Sequence, residues 1–250
     1  MIAVYRFARH ADDLADEGSM SASERLQALE EFGRKTAAAF AGRVVNDPIL
    51  DPLAANVVAW HLPEQPFFDL LDAFTQDVTK TRYQDFAEVL AYSRRSANPV
   101  GRIMLALYRI DDDQAFEQSD AICTALQLIN FVQDVALDWD KGRVYLPLDE
   151  CRLHGVNPED LPAAQAGAAW RKLMQFQRGR AAAMLNRGAP LAHRLPGRIG
   201  LELQLIVEGG RRLLEKLEDV ADDVFHHRPK LVAWDWVLVA ARGLAHRAAP

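Results

Sequence analysis

Gln127-Leu-Ile-Asn130-Phe-Val-Gln133-Asp134-Val-Ala-Leu-Asp138 places two carboxylates four residues apart among apolar neighbours. On a helix, residues i and i+4 lie on one face, a turn apart, so Asp134 and Asp138 stand side by side. Like charges at that spacing cost a helix roughly a few tenths of a kcal/mol. Gln127 and Asn130, spaced i, i+3, extend the same polar face or form a buried amide pair that satisfies helix contacts. The helix is expected to run from about 113 to 140. It ends at Lys141-Gly142, a C-cap signal, and Arg143-Val-Tyr145-Leu-Pro147 then reads as an extended exit.

The same arrangement recurs near the start, in Tyr5-Arg-Phe-Ala-Arg9-His-Ala-Asp12-Asp13-Leu-Ala-Asp16-Glu17. Tyr5, Arg9, Asp12 and Asp16 follow one another by four, three and four residues, so all can share one side. Arg9 and Asp12 also read as a local ion pair. A single D-x-x-x-D is weak evidence of a metal site, because most such pairs are solvated surface carboxylates. Two pairs, each with aromatic neighbours (Tyr5, Phe7, Phe131) and an arginine beside it, make a stronger case. Magnesium, as Mg²⁺, takes a few carboxylates and leaves its other positions to water and phosphate oxygens. Arg9 and Arg143 offer the planar fork that suits phosphate. Carboxylates for a metal and arginines for phosphate are what holding a diphosphate requires.

The rest of the chain bounds this reading. Its 250 residues suit one large domain or two small ones. The net charge of −6 argues against a nucleic-acid partner, whose phosphates want basic patches. Cys123 and Cys151 have no C-x-x-C spacing, which disfavours a zinc site or disulfide scaffold and fits a reducing cytoplasm. Met1 to His10 lacks the apolar core of a signal peptide. Leu231 to Leu244 is interrupted by Asp235 and Arg242, so no spanning helix is expected.

The pattern is helical throughout, without period-two runs or hairpin signals. Ser21-Ala-Ser-Glu24 is a capping box that opens a helix to about Gly42. Asp47-Pro48 reads as N-cap and N1 of the next. Pro66 opens another, with Phe67, Leu70, Leu71, Phe74 and Val78 on one stripe. A helical stretch from about 85 to 108 should break at Asn98-Pro99. Further helices are expected at about 164–188, 199–221 and 231–247. The first helix has no N-cap. No repeat or linker appears, and the expectation is a single all-α domain over 1–250.

Other motifs carry less. Asp111-Asp-Asp113 falls between helices. Asp222-Asp223 with His226-His227 lacks a metal-binding spacing and reads as a surface helix end. No G-x-G-x-x-G, G-K-[ST] or nucleophile-elbow motif occurs. The five tryptophans, Trp60, Trp139, Trp170, Trp234 and Trp236, read as core or interface residues.

Tyr5-x-x-x-Arg9-x-x-Asp12-x-x-x-Asp16-Glu17, and Gln127-x-x-Asn130-x-x-x-Asp134-x-x-x-Asp138 followed by Gly142-Arg143-Val-Tyr145-Leu-Pro147, resemble the two signatures of the squalene/phytoene synthase family. Order, spacings and exit all match. Ala11-Asp-Asp-Leu-Ala-Asp-Glu-Gly18, Ala97-Asn-Pro-Val-Gly-Arg102 and Asn130-Phe-Val-Gln133-Asp134 look most like its hydroxysqualene synthase branch, of bacterial hopanoid biosynthesis. So do Pro196-Gly-Arg-Ile-Gly-Leu-Glu202, Gly209-Gly210 and Leu217-Glu218. Gln133 is informative, since phytoene and presqualene diphosphate synthases usually carry Arg there. The family's N-terminal helix and its Ser-containing segment have no match, so the domain is expected to lack that helix.

The resemblance implies an all-α isoprenoid-synthase bundle with a central cavity. It implies Mg²⁺ held by Asp12, Asp16, Asp134 and Asp138. Tyr5, Arg9 and Tyr145 are the catalytic candidates; Gln127, Asn130 and Arg143 would bind substrate. The substrate implied is presqualene diphosphate, ionised, rearranged and captured by water as hydroxysqualene. A polar group near the Asn98-Pro99 break is the candidate for positioning that water. The alternatives are head-to-head condensation of two farnesyl diphosphates and a non-catalytic assembly protein; the intact aspartate pairs argue against the latter. The implied partners are a prenyl diphosphate and other hopanoid-pathway enzymes. The implied location is cytoplasmic, with a peripheral membrane contact left open.

Overall fold

Val4, Phe7, Ala11 and Ala15 recur at three and four residues and are buried, so the first stretch folds as an amphipathic helix, α1 (Ile2–Asp16). The structure, a computed structural model, describes residues 1–164, 167–220 and 223–248. Its contacts cluster into two compact units, Met1–Lys80 with Tyr92–Asp112, and Thr81–Ala91 with Asp113–Pro250. Among the described residues the regular structure is helical, apart from one isolated parallel bridge between Arg82 and Val144.

The first unit contains α1, α2 (Ala22–Phe40), α3 (Leu50–Trp60), α4 (Gln65–Asp77) and α6 (Asn98–Leu107), with the end of α5 (Phe86–Ser96). Its core is aromatic. The Phe7 ring lies 5.4 Å from Phe32, stacked, and 5.4 Å from Phe67, edge-on. Leu50, Leu53 and Ile103 close that core. Ser21 caps α2 with the full box: its hydroxyl receives the Glu24 amide, and the Glu24 carboxylate receives the Ser21 amide. Asp47 accepts from the amides of Ile49 and Leu50 at 2.8 and 3.1 Å, but the N-cap is Ile49, so the expected N-cap at Asp47 and N1 at Pro48 lie before the helix. Helical geometry begins only at Leu50. The break at Asn98-Pro99 is present: Ala97 separates α5 from α6, and Asn98 is buried in the first turn of α6.

The second unit contains α7 (Asp113–Gln133), α8 (Val135–Asp140), α9 (Leu148–Leu153), α10 (Leu161–Ala164), α11 (Ala168–Gly188), α12 (Leu191–Arg194), α13 (Gly197–Asp219) and α14 (Ala233–Ala248). α7 packs chiefly against α11. The approach is close: a Cβ on Gly188 would come within 2.5 Å of the Gln118 carbonyl oxygen. The expected helix from 113 to 140 is not continuous. It breaks at Asp134, whose φ of −106° and ψ of 14° lie outside the helical well. Gly142 ends α8 with a φ of +73°, the left-handed turn expected of a C-cap glycine.

Of the tryptophans, Trp170 is fully buried, whereas Trp234 is 76% exposed on α14. The inward face of α14 holds buried Asp235, bonded to Lys216 and Arg212 of α13. Those cations and the Val232 amide hold its carboxyl well below the usual carboxylate range. No helix, among the described residues, is long and apolar enough to cross a membrane.

Candidate functional site

In the first unit, Tyr5, Arg9, Asp12 and Asp16 fall within an arc of about 60° on α1, at 100° per residue, away from the buried Phe7 and Ala11. Tyr5 is 69% exposed, and both aspartates are half-buried. Arg9 donates to Asp12 at 3.2 Å and ion-pairs with Asp13 at 2.7 Å. The local ion pair and the shared face are therefore both present. The last turn of α1 has no basic residue of its own. Arg25 of α2 takes that role: its guanidinium donates to the carbonyls of Leu14, Glu17 and Gly18 at 3.2, 2.9 and 3.0 Å. Cations at a helix C-terminus complement its partial negative charge.

In the second unit, the interruption at Asp134 keeps two backbone hydrogen bonds. The Asp134 amide donates to Asn130 and the Asp138 amide to Asp134, at 2.8 and 2.9 Å. The two carboxylates thus remain a turn apart. Asn130 is exposed and Gln127 half-buried, which overturns the buried-amide alternative for this pair. Beyond α8 the Arg143 amide donates to the Asp138 carbonyl at 2.7 Å. Tyr145 is buried, its ring stacked on Phe131 at 4.1 Å and on Tyr83 at 5.5 Å. Asp138, Arg143 and Tyr145 border one interstice with Phe131, Val135 and Leu161, too tight to admit a water molecule. A carboxylate, a guanidinium and an aromatic wall converge there.

Two contacts at this pair come from far along the chain. Arg228 donates from Nε and Nη2 to the two oxygens of Asp134, at 2.5 and 3.0 Å. That bond, reinforced by the charges of Asp134 and Asp138, raises the affinity of the guanidinium for its proton. The side-chain amide of buried Gln133 donates to the Pro229 carbonyl. Sequence reasoning missed Arg228. Its one local signal is the basic run His226-His-Arg-Pro-Lys230 between two helices. His226 and His227 instead face Asp223, at 3.0 and 3.4 Å; Asp222 lies outside the described residues. Cys151 is fully buried, which pushes its thiol up to about 12 and leaves it unreactive.

Each aspartate pair suits Mg²⁺. The donors are hard carboxylate oxygens, and Mg²⁺ needs only one or two of them beside water and phosphate oxygens. Among the described residues no three Asp, Glu, His or Cys side chains gather as an all-protein cage. Two carboxylates a turn apart match a metal that completes its shell from the substrate.

The model of the squalene/phytoene synthase family matches residues 1–235. A hydroxysqualene synthase of Rhodopseudomonas palustris is 35% identical over 233 residues, covering 92% of this chain and 78% of that protein. A phytoene synthase of Thermus thermophilus is 32% identical over 254 residues, covering 99% and 84%. The crystal structure of the squalene synthase HpnC from Alicyclobacillus acidocaldarius aligns with a TM-score of 0.82 at 32% identity, over 88% of this chain and 82% of that one.

Proposed function

Because the chain belongs to the squalene/phytoene synthase family and is an isoprenoid synthase, we propose that it converts presqualene diphosphate and water to hydroxysqualene and diphosphate. The second aspartate pair, its carboxylates a turn apart with Arg143 and Tyr145 just beyond, carries this reading. Its similarity to hydroxysqualene synthases sharpens the substrate.

The family processes prenyl diphosphates, generally with a divalent metal; here we assign Mg²⁺. Asp12 with Asp16, and Asp134 with Asp138, would hold it, and when bound it supplies positive charge that stabilises the departing diphosphate. Arg9 and Arg143 orient phosphate oxygens through their planar forks. Gln127 and Asn130 add amide donors to the same polar face. As the C–O bond breaks, its electron pair leaves with the diphosphate. The stacked rings of Phe131 and Tyr145 form an apolar wall that keeps stray water from the cation left behind. Tyr5 on α1 adds a hydroxyl. The cyclopropylcarbinyl cation rearranges, one water oxygen attacks it, and a proton departs to solvent. Buried Asn98, at the α5–α6 break, is assigned the positioning of that water.

We read residues 1–250 as a single squalene/phytoene synthase-like domain. The exposed apolar residues Trp234, Val237 and Leu244 of α14 support a peripheral lipid contact, in keeping with a water-insoluble product and a cytoplasmic site of action. The similarity to a phytoene synthase favours one second reading, head-to-head condensation of two prenyl diphosphates. Mass spectrometry of products separates the two. With Mg²⁺, presqualene diphosphate should give hydroxysqualene carrying one oxygen from ¹⁸O-labelled water, and farnesyl diphosphate alone should give none. A condensation product from farnesyl diphosphate, with presqualene diphosphate returned unchanged, would overturn the first reading.

A further inference from the structure

Segment 226–230 is fastened to the second aspartate pair at two adjacent residues. Arg228 takes both oxygens of Asp134 in a bidentate fork, and the Gln133 amide takes the Pro229 carbonyl. Pro229 is buried, and its neighbour Leu231 lies against Gly209 of α13. On the other side, Asp223 holds the His226 ring. The segment is thus a strap with fixed ends and one cationic side chain turned onto a carboxylate. The backbone of Asp134 leaves the helical well at this point.

A guanidinium fork and a divalent cation want the same two oxygens. Both cannot hold them fully, because their like charges repel at that distance. Relying on the assignment of Asp134 and Asp138 as Mg²⁺ ligands, we propose that Arg228 is the resident counter-cation of Asp134 and that metal binding unclasps the 226–230 strap. Gln133 is the positioning residue, holding the strap so that Arg228 reaches Asp134. An Arg in place of Gln133 would bring a second cation beside the same carboxylate.

The test uses Mn²⁺ as the probe, on the full chain carrying Asp12→Asn and Asp16→Asn, so that only the second pair reports. Electron paramagnetic resonance gives the Mn²⁺ dissociation constant, and hydrogen exchange follows the 226–231 amides. Arg228→Met should tighten Mn²⁺ binding by roughly fivefold, the scale of a partly exposed ion pair. Gln133→Ala changes no charge, yet should tighten binding by roughly twofold through a looser clasp. Saturating Mn²⁺ should speed exchange in 226–231. Unchanged binding in both variants, weaker binding in Arg228→Met, or exchange slowed by Mn²⁺ overturns the clasp. So does tightening in Arg228→Met alone with exchange unchanged, since any lost positive charge would do that. Failure of the background protein to bind Mn²⁺ at all defeats the metal assignment instead, a result distinct from failure of the clasp.

Discussion

The two aspartate pairs hold their charge in different ways. On α1 a counter-charge to Asp12 is local: Arg9 reaches Asp12 and Asp13 from three and four residues away, and Arg25 closes the end of the helix from the next one. On α7 and α8 it is remote: Arg228 reaches Asp134 across 94 residues, and the helix breaks where the contact is made. Locally balanced charge leaves a helix regular, and its geometry can be read from spacing. Remotely balanced charge makes local geometry depend on the tertiary fold. The first pair is therefore expected to be robust to distant changes and the second sensitive to them.

The largest effects test whether the pairs share one chemistry despite this. EDTA should abolish turnover, and Mg²⁺ should restore it. Asp12→Asn and Asp134→Asn should each lower kcat by about a thousandfold, the scale of lost transition-state charge stabilisation, while circular dichroism shows the helical content intact. Full activity in either variant would end the metal role of that pair and with it the chemical equivalence.

The supports of the two helices come next, in chemical denaturation. α1 is seated by rings, so Phe7→Ala should cost about 3–5 kcal/mol. α7 is seated by a backbone approach, so Gly188→Ala should cost about 1–3 kcal/mol by overpacking against Gln118 and Ile122. Gly179→Ala on the same α11 is the control: its Cβ meets nothing within 4 Å, and the better helix propensity of Ala should raise stability by about 0.5–1 kcal/mol. A loss in Gly179→Ala matching that in Gly188→Ala would show that the close approach to Gln118 and Ile122 does not set the cost, since helix propensity alone favours Ala.

The legible features were those with local causes. The Ser21–Glu24 box, the Pro99 break and the Gly142 turn follow from side chains that act within a few residues. The family signatures and their spacing were legible for the same reason. The interruption at Asp134 was not, because no Pro or Gly marks it and the residues that engage Asp134 and Gln133, namely Arg228 and Pro229, lie in a distant segment. The helices α9, α10 and α12, of four to six residues, are too short to show a period. Trp234 and Trp236 read as core or interface by type; their exposure on α14 depends on which face Asp235 pulls inward.

Arg25 offers a finer test of local control. It donates to three carbonyls around the end of α1, beside Asp16. Arg25→Ala should cost about 1–2 kcal/mol, the scale of lost hydrogen bonds from a charged donor. Arg25→Lys should recover only part, because a single ammonium cannot reproduce the fork. A KM that rises in Arg25→Ala with little change in kcat would mean that the turn positions the first pair for binding. Loss of kcat alone would place its effect in the transition state.

The smallest expected effect separates the cap of α2 from the aspartate-bearing helix before it. Ser21→Ala removes the hydroxyl that accepts from the Glu24 amide and should cost about 1 kcal/mol. In the intact box Glu24 is held below its ordinary pKa by the Ser21 hydroxyl and then the Ser21 amide. A depressed carboxylate pKa stabilises the fold above the unfolded value, near 4.3. That contribution fades as pH falls through the lower folded value. Melting temperatures of wild type and Ser21→Ala should therefore differ most near neutrality and converge in acid, with kcat unchanged at pH 7. A change in kcat would mean that the turn carries strain from α2 into Asp16, and the first pair would then lose the local independence that sets it apart from the second.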